Sequence, residues 1–281
     1  MTSQWDSLRH FAYQAKERFY NGVTMADILG SGDSGEGKGG LKTRKEIQEM
    51  AEEGIVGRGI LLDYHGWWQR NSSSELPIDG FKTHHIRLED LLATAKEQGT
   101  EIHFGDILLI LSGYMVSLVT KSASEVVAQH TIELPTFIGM EQSKEALRWL
   151  WENFSAVAGD QQTFEGWPSL QEWRMHEVLL SGWGCPIGEL FDLEKLAVYC
   201  EKEKRWSFFV TSEVCNVPGG VARYFFVLLI WDAVRTNGAL AVHQIYWPSS
   251  KLLNKYLRVL SLSPSVCRHL ALNLSLPNLL S

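Results

Sequence analysis

Apolar runs and helix-spaced apolar residues alternate along most of the chain. Two apolar runs, over residues 55–64 (IVGRGILLDY) and 106–112 (DILLILS), predict buried strands. The segment 88–98 between them has apolar residues at helical spacing. A strand, a helix and a strand in this order predict a parallel crossover unit, and therefore an α/β fold.

Similar elements are predicted further along the chain. A helix is predicted over residues 143–153, with Ser143 as its N-cap, and another over 193–203. Short strands are predicted over 156–159 and 206–211. The alternation shows no internal repeat, so one α/β unit is expected.

The first eighty residues are less regular. Apolar spacing predicts a helix over residues 6–20, and a charged helix over 43–53 should end at Gly54. Loops are predicted for the glycine-rich segment 30–40 and the polar segment 65–79. The first of these loops resembles a Walker A loop but lacks its Ser or Thr and a preceding strand, so we do not predict phosphate binding there.

Composition limits the class of function. The 281 residues have a formal net charge of -7, which argues against nucleic acid as a partner. Four cysteines without CxxC spacing indicate neither a zinc motif nor a disulfide framework, and suit a reducing cytoplasm. The sequence begins with no leader pattern, and its longest apolar run, 224–231, is too short to cross a bilayer. We expect a cytoplasmic protein with a small-molecule substrate and neither a nucleic-acid nor a membrane partner.

The character of the chain changes after residue 222. Residues 223–281 contain six Lys and Arg and one acid, whereas residues 1–222 contain 20 basic and 32 acidic residues. The later segment is also rich in Leu and Ser with poor periodicity. We predict one domain over 1–222 and an atypical, irregular extension over 223–281, for which a wrong exon boundary is one explanation.

Two candidate metal ligands lie close together in sequence. In the segment 172–191 (EWRMHEVLLSGWGCPIGELF), His176 heads an apolar helical pattern and Glu189 lies among apolar residues. Burying a carboxylate requires a cation or several hydrogen-bond donors. An imidazole and a carboxylate commonly bind a divalent metal. From spacing alone, packing of His176 in a helix and a backbone hydrogen bond to Glu189 remain the alternative.

Four segments resemble a known family. They are GIVGRGILLDY (54–64), GDILLILSGY (105–114), MHEVLLSGWGCPIGELFDLEKLA (175–197) and NVPGGVA (216–222). All four resemble the cyclase family that includes bacterial-type kynurenine formamidases and isatin hydrolases, and in particular its fungal branch. The resemblance implies a swivelling β/β/α fold, a divalent metal such as zinc or manganese, and a homo-oligomer.

The family motif HxGTHxDxPxH implies the first site residues. Its second half aligns with QWDSLRH (4–10), where Asp6 matches the aspartate ligand and His10 the proton-transfer histidine. Gln4 stands where the second ligating histidine belongs, and an amide oxygen is the weaker ligand for zinc. The first histidine would precede Met1, so a truncated motif is expected.

The resemblance also assigns residues later in the chain. His176 and Glu189 match the family's distal ligands, and substrate contacts are implied for Asp160, Trp173, Pro218 and Gly219. Asp160 is equally well explained as a turn residue. Trp67 and Trp68 are candidates for an aromatic pocket or for ordinary core, and His84 and His85 for a solvated helix start.

Together these residues predict a function. The resemblance implies metal-dependent hydrolysis of the C–N bond of a formamide or cyclic amide, with N-formylkynurenine, an intermediate of tryptophan catabolism, as the first candidate. Asp6, His176 and Glu189 would enclose an ion that activates water, and His10 would transfer the proton. The alternative is an inactive paralogue acting as a binding subunit of an oligomer. Convergence of the three ligands on one point tests whether a site exists, and metal content with a hydrolysis assay tests activity.

Overall fold

A computed structural model describes residues 3–29, 47–73, 76–214, 222–230 and 242–245 of the chain. Its strands are β1 Gln4–Asp6, β2 Ile55–Asp63, β3 His84–Ile86, β4 Asp106–Leu111, β5 Ile138–Met140, β6 Phe154–Gly159, β7 Ile187–Glu189, β8 Ser207–Val214, β9 Ala222–Ile230 and β10 Val242–Ile245. Its α-helices are α1 Met25–Leu29, α2 Ile47–Glu53, α3 Tyr64–Asn71, α4 Leu88–Gln98, α5 Tyr114–Thr120, α6 Ala123–Thr131, α7 Lys144–Asn153 and α8 Glu194–Glu203. A π-helix spans Glu177–Trp183, and single 3-10 turns span Gln14–Lys16 and Tyr20–Gly22.

The main sheet curls until its two ends meet. Its eight strands follow the order β1-β7-β6-β4-β2-β8-β9-β10, and β1 pairs with β9 as well as with β7. Seven strands therefore form a closed ring, with β10 attached to β9. The strands β2, β4, β6 and β7 are parallel to one another, whereas β1 runs antiparallel to both of its neighbours.

Successive residues of the central strands enter two different cores. Ile60, Leu62 and Ile110 pack in one core with Met175 and Leu179, whereas alternate residues of the same strands face the other. The second core contains Trp5, Leu61, Leu109, Ala158 and Cys200. Because side chains alternate across a strand, burial on both faces explains why β4 is apolar from Ile107 to Leu111.

The predicted crossover unit is confirmed. Strands β2 and β4 pair in parallel, with Gly59 opposite Ile107, and α4 lies between them in sequence over the predicted residues. Helix α7 begins after Ser143, whose side chain accepts a hydrogen bond from the Ala146 amide as predicted for an N-cap. The α/β fold class is therefore confirmed, and β6 and β8 are longer than predicted by two and three residues at one end.

Three local predictions are wrong. Residues 6–20 form no α-helix, because pairing of β1 with β7 and β9 outweighs a weak helical pattern, and Leu8 and Phe11 reach the core from turns. The segment 65–79 begins in α3, whose N-cap Asp63 accepts a hydrogen bond from the Gly66 amide. His84 and His85 lie in β3, paired with β5.

Several predictions fall on other parts of the chain. The glycine-rich loop over 30–40, the start of the charged helix before Ile47, and both Pro218 and Gly219 lie outside the described residues. Helix α2 does end before Gly54, whose φ is 75°. Strand β9 begins at the proposed domain boundary and pairs with β1 and β8, and the division of the chain at 222 stays a prediction. No helix in the described residues is long and apolar enough to span a membrane.

Candidate metal centre

Strand pairing brings three polar side chains to one face of the sheet. In the antiparallel pair of β1 and β7, Gln4 lies opposite Glu189 and Asp6 opposite Ile187. Trp5, between them, points into the second core, so Gln4 and Asp6 share the other face. The side chains of Asp6 and Glu189 are both buried there. The first strand and a segment 185 residues later thus build one site.

His176 reaches the same point from the π-helix. It lies at the N-terminal end of that helix, and its Nε2 is 3.0 Å from Oε1 of Glu189 and 3.6 Å from Oδ2 of Asp6. Single-turn π segments inside helices are frequent at functional sites. The expected convergence of Asp6, His176 and Glu189 is therefore observed.

His10 completes the cluster from the turn that follows β1. The His10 amide donates to the Ser7 carbonyl at 2.9 Å, and this turn directs the ring back towards the strand. Nδ1 of His10 lies 3.7 Å from Oδ1 of Asp6, and 31% of the side chain is exposed. One possible ligand atom from each of Asp6, His10 and His176 lies within 4.8 Å of the other two.

Glu165 is a member of the site that the sequence analysis missed. Its Oε2 accepts a hydrogen bond from Nδ1 of His176 at 2.6 Å, and its Oε1 from the His176 amide at 3.3 Å. The sequence signal used for Glu189, a carboxylate beside apolar residues, was also present for Glu165, which follows Phe164. In the structure Glu165 is buried. A carboxylate in this position fixes the orientation of a ligating imidazole.

The buried charges of the cluster shift one another's pKa values. Burial alone would lower the pKa of His176, but the charge of Glu165 and the close carboxylates of Asp6, Glu165 and Glu189 hold it well above its usual value. Burial would raise the pKa of Glu165, yet the His176 charge outweighs it and the net shift is downward. Burial and the neighbouring Asp6 raise the pKa of Glu189 to about 7.

Gln4 contacts both acids through its amide nitrogen. Nε2 of Gln4 lies 3.0 Å from Oε2 of Glu189 and 3.3 Å from Oδ1 of Asp6. This neutral donor partly offsets the repulsion between two carboxylates buried on adjacent strands. The predicted ligand role of Gln4 requires its oxygen, which is not the atom that faces the acids.

The cluster fits a divalent metal. Oδ2 of Asp6 and Nδ1 of His10 are buried atoms with no hydrogen-bond partner among the described residues. Buried polar atoms are almost always satisfied, so unpartnered atoms in a cluster of ligand types call for an ion or water. One carboxylate with two imidazoles suits zinc or manganese. The residues that would hold the ion therefore match the predicted cofactor class.

A clamp joins the His10 segment to the π-helix. The buried carboxylate of Glu177 accepts hydrogen bonds at 2.7 Å from the amides of Gln14 and Arg174. One turn later, Oγ of Ser181 donates to the Phe11 carbonyl at 2.5 Å. Phe11 itself packs edge-on against the His176 ring, with centroids 5.9 Å apart. The clamp holds the segment after β1 over His176.

The hydrogen bonds of Asp160 go to the turn between β4 and α5. Its fully buried carboxylate accepts hydrogen bonds from the amides of Ser112, Gly113 and Met115 and from Oγ of Ser112, at 2.6 to 3.2 Å. It thus fixes the turn between β4 and α5, in keeping with an orienting role. Burial raises the pKa of Asp160, opposed by these hydrogen bonds. Its predicted substrate contact stays a prediction.

The predicted aromatic residues divide into two places. Trp173 is partly buried against the first core, near the π-helix. Trp68 packs edge-on against His84 at 4.8 Å between centroids, and Trp67 lies 5.9 Å from Tyr64. The Tyr64 hydroxyl is 2.7 Å from Nε2 of His84. These contacts support a core role for Trp67 and Trp68, and substrate binding by Trp173 stays a prediction.

Comparison with known proteins identifies the family. A family profile described as "Putative cyclase" matches residues 1–165. The chain belongs to this cyclase family. A crystal structure described as a novel cyclase is 28% identical, with a TM-score of 0.64 over 81% of this chain and 68% of that one. No curated protein matches the chain.

More distant structures of this cyclase fold include isatin hydrolases. Isatin hydrolase A from Ralstonia solanacearum is 14% identical, with a TM-score of 0.52 over 82% of this chain and 71% of that one. An isatin hydrolase bound to the product analogue thioisatinate is 10% identical, with a TM-score of 0.50 over 86% and 71%. At such identities the likeness establishes the fold alone, and it confirms the predicted cyclase-like architecture.

Proposed function

We propose that this cyclase-family protein is a metal-dependent hydrolase that cleaves the C–N bond of a formamide or a cyclic amide. The observation that carries the proposal is the buried convergence of Asp6, His176 and Glu189, with His10 beside them. Isatin hydrolases share the fold, and their name describes the opening of a cyclic amide. The family resemblance adds N-formylkynurenine, and with it tryptophan catabolism, as the first candidate.

The cluster has the groups that such a reaction needs. Asp6, His176 and Glu189 are the predicted set to hold the ion, and His10 lies within the same spacing. A bound divalent ion supplies Lewis-acid chemistry, polarising the scissile carbonyl and acidifying water. Glu165 holds the ring of His176 so that Nε2 is directed at the cluster.

Proton transfer requires a second kind of group. Two residues at the cluster can take a proton and return it to the leaving nitrogen. Without a bound ion, burial and Asp6 raise the pKa of Glu189 to about 7, so its carboxyl group can carry a proton where it does not bind the ion. His10 is the residue to which the resemblance assigns this role, and it is the more exposed of the two.

The proposal is tested by metal content and by hydrolysis. Purified protein should contain about one divalent ion per chain and hydrolyse N-formylkynurenine or isatin, and a chelator should abolish turnover. His176→Ala should lose both metal and activity, whereas His103→Ala, at an exposed site, should keep both. Metal-bound protein without hydrolysis of either substrate would instead favour the inactive paralogue. A homo-oligomer in the cytoplasm is part of the proposal, and sedimentation tests the oligomer.

A further inference from the structure

Gln4 occupies the motif position of a ligating imidazole, but its contacts are those of a hydrogen-bond donor. Its Nε2 lies within hydrogen-bond distance of carboxylates from both Asp6 and Glu189. If the amide were flipped, its Oε1 would face the two carboxylates. Because all of these oxygens are acceptors, both hydrogen bonds would be lost. Gln4 is therefore better suited to bridge the two acids than to bind an ion.

His10 is placed where it can supply the missing imidazole. Nδ1 of His10 lies 3.7 Å from one oxygen of Asp6, and Nε2 of His176 lies 3.6 Å from the other. Two ligand atoms on a tetrahedral ion, each bound at about 2.1 Å, stand about 3.4 Å apart. The two nitrogens flank the Asp6 carboxylate at close to this spacing.

The hydrogen-bonding state of these atoms supports the same assignment. Nδ1 of His10 and Oδ2 of Asp6 are both buried without a hydrogen-bond partner in the described part of the chain. The exposed part of His10 is therefore elsewhere on the side chain, and the inward nitrogen faces Asp6. Glu189, by contrast, is bonded to Gln4 and His176, and the three-residue set at ligand spacing does not include it.

Building on the proposed metal-dependent function, we propose that His10, not Gln4, completes the metal site with Asp6 and His176. The family resemblance assigns proton transfer to this histidine. In this chain Gln4 stands where the family has a ligating histidine. The imidazole of His10, in the turn after β1, takes its place as a ligand. The residue would then bind the ion itself instead of acting on the substrate's proton.

The test measures metal binding by the full chain without substrate. Affinity for zinc and for manganese is obtained by competition with a chromogenic chelator, for wild type, His10→Ala and Gln4→Met. Loss of a ligand should weaken binding by more than about 100-fold, whereas loss of a group that only contacts ligands costs about 10- to 100-fold. We expect the first result for His10→Ala and the second for Gln4→Met. His103→Ala, an exposed histidine near Glu101, is the matched control and should bind as wild type does.

Cobalt substitution gives a second readout that does not depend on affinity. The visible absorption of bound cobalt reports its ligands, so His10→Ala should change that spectrum and Gln4→Met should not. Unchanged affinity and spectrum in His10→Ala, with turnover lost, would overturn the inference in favour of proton transfer. A larger loss in Gln4→Met than in His10→Ala would also overturn it. Failure of the proposed hydrolysis is distinct, because it would leave His10-dependent metal binding intact.

Discussion

Nδ1 of His176 lies 2.6 Å from Oε2 of Glu165, and both side chains are buried. A histidine that donates through Nδ1 must present Nε2 to a metal, so Glu165 determines which ring nitrogen is directed at Asp6 and Glu189. The contact explains why a carboxylate outside the family motif belongs to the site.

Removing Glu165 should weaken metal binding without unfolding the chain. Glu165→Leu leaves Nδ1 unpaired and the ring free to turn, so we expect metal affinity to fall by about 10- to 100-fold. Glu165→Gln keeps an acceptor for Nδ1 and should lose less. Chelator competition measures the affinity, circular dichroism checks the fold, and the exposed Glu172→Gln is the control. Wild-type affinity in Glu165→Leu would show that other contacts orient His176.

The metal-free protein should lose stability as the pH rises towards neutrality. The pKa of Glu189 is raised from 4.5 to about 7, so the folded state holds a proton that the unfolded state has released. This contribution is complete below pH 4.5 and is lost as the pH rises through about 7, by about 3 kcal/mol. Denaturant unfolding in chelator measures it.

Two neighbouring groups, Glu165 and His176, change the stability at pH values outside the lower part of this range. The pKa of Glu165 is lowered, so its stabilisation is lost only as the pH falls below the usual glutamate range. The raised pKa of His176 gives stabilisation that is lost above the usual histidine range. Glu189→Gln should therefore reduce the slope of the profile between pH 4.5 and 6.5, and Glu194, whose pKa burial raises to about 8, contributes part of the slope that remains. A profile of equal slope in this variant would contradict the assignment to Glu189.

The clamp on the segment after β1 should be measurable at a single amide. Glu177→Leu removes the acceptor of the Gln14 and Arg174 amides, and we expect the free energy of unfolding to fall by about 3 kcal/mol. Hydrogen exchange at the Gln14 amide should accelerate. Ser181→Ala, which removes a neighbouring hydrogen bond to Phe11, should cost about 1 kcal/mol and leave Gln14 protected. Protection of Gln14 in Glu177→Leu would refute the clamp.

Asp160 should matter to stability because it holds the turn between β4 and α5. Its carboxylate serves four donors in the turn that begins α5. Asp160→Ala leaves the buried amides of this turn without acceptors and should cost about 4 kcal/mol, whereas Asp160→Asn keeps one oxygen and should cost less. Thermal unfolding measures both. Because none of these four donors belongs to a proposed metal ligand, metal affinity should change by less than it does in Glu165→Leu.

Strong periodicity explains which elements were predicted correctly. The apolar run of β4 and the helical spacing of α4 coincide with the observed elements to within a residue, because both faces or one clear stripe are buried. The segment after Asp6 failed for the opposite reason. Its apolar residues reach the core from turns. The preceding strand β1 is only three residues long, and its pairing partners lie far away in sequence.

Part of the site could be predicted from the sequence. His176 and Glu189 were candidates from their apolar surroundings as well as from the family pattern, Asp6 and His10 came from the family pattern, and the structure brings all four together. Glu165 has no such spacing, and its contact with His176 depends on how the chain between them turns. The donor role of Gln4 depends on the two carboxylates that its amide faces, and strand pairing brings one of them, Glu189, opposite it.

The position of β1 in the ring has a mechanical consequence. This short strand joins the two ends of the curled sheet, and it also carries Asp6. An ion bound by Asp6 and His176 would help to hold β1 between β7 and β9, so metal binding would stabilise the closed ring of strands. Release of the ion should then also loosen the first strand.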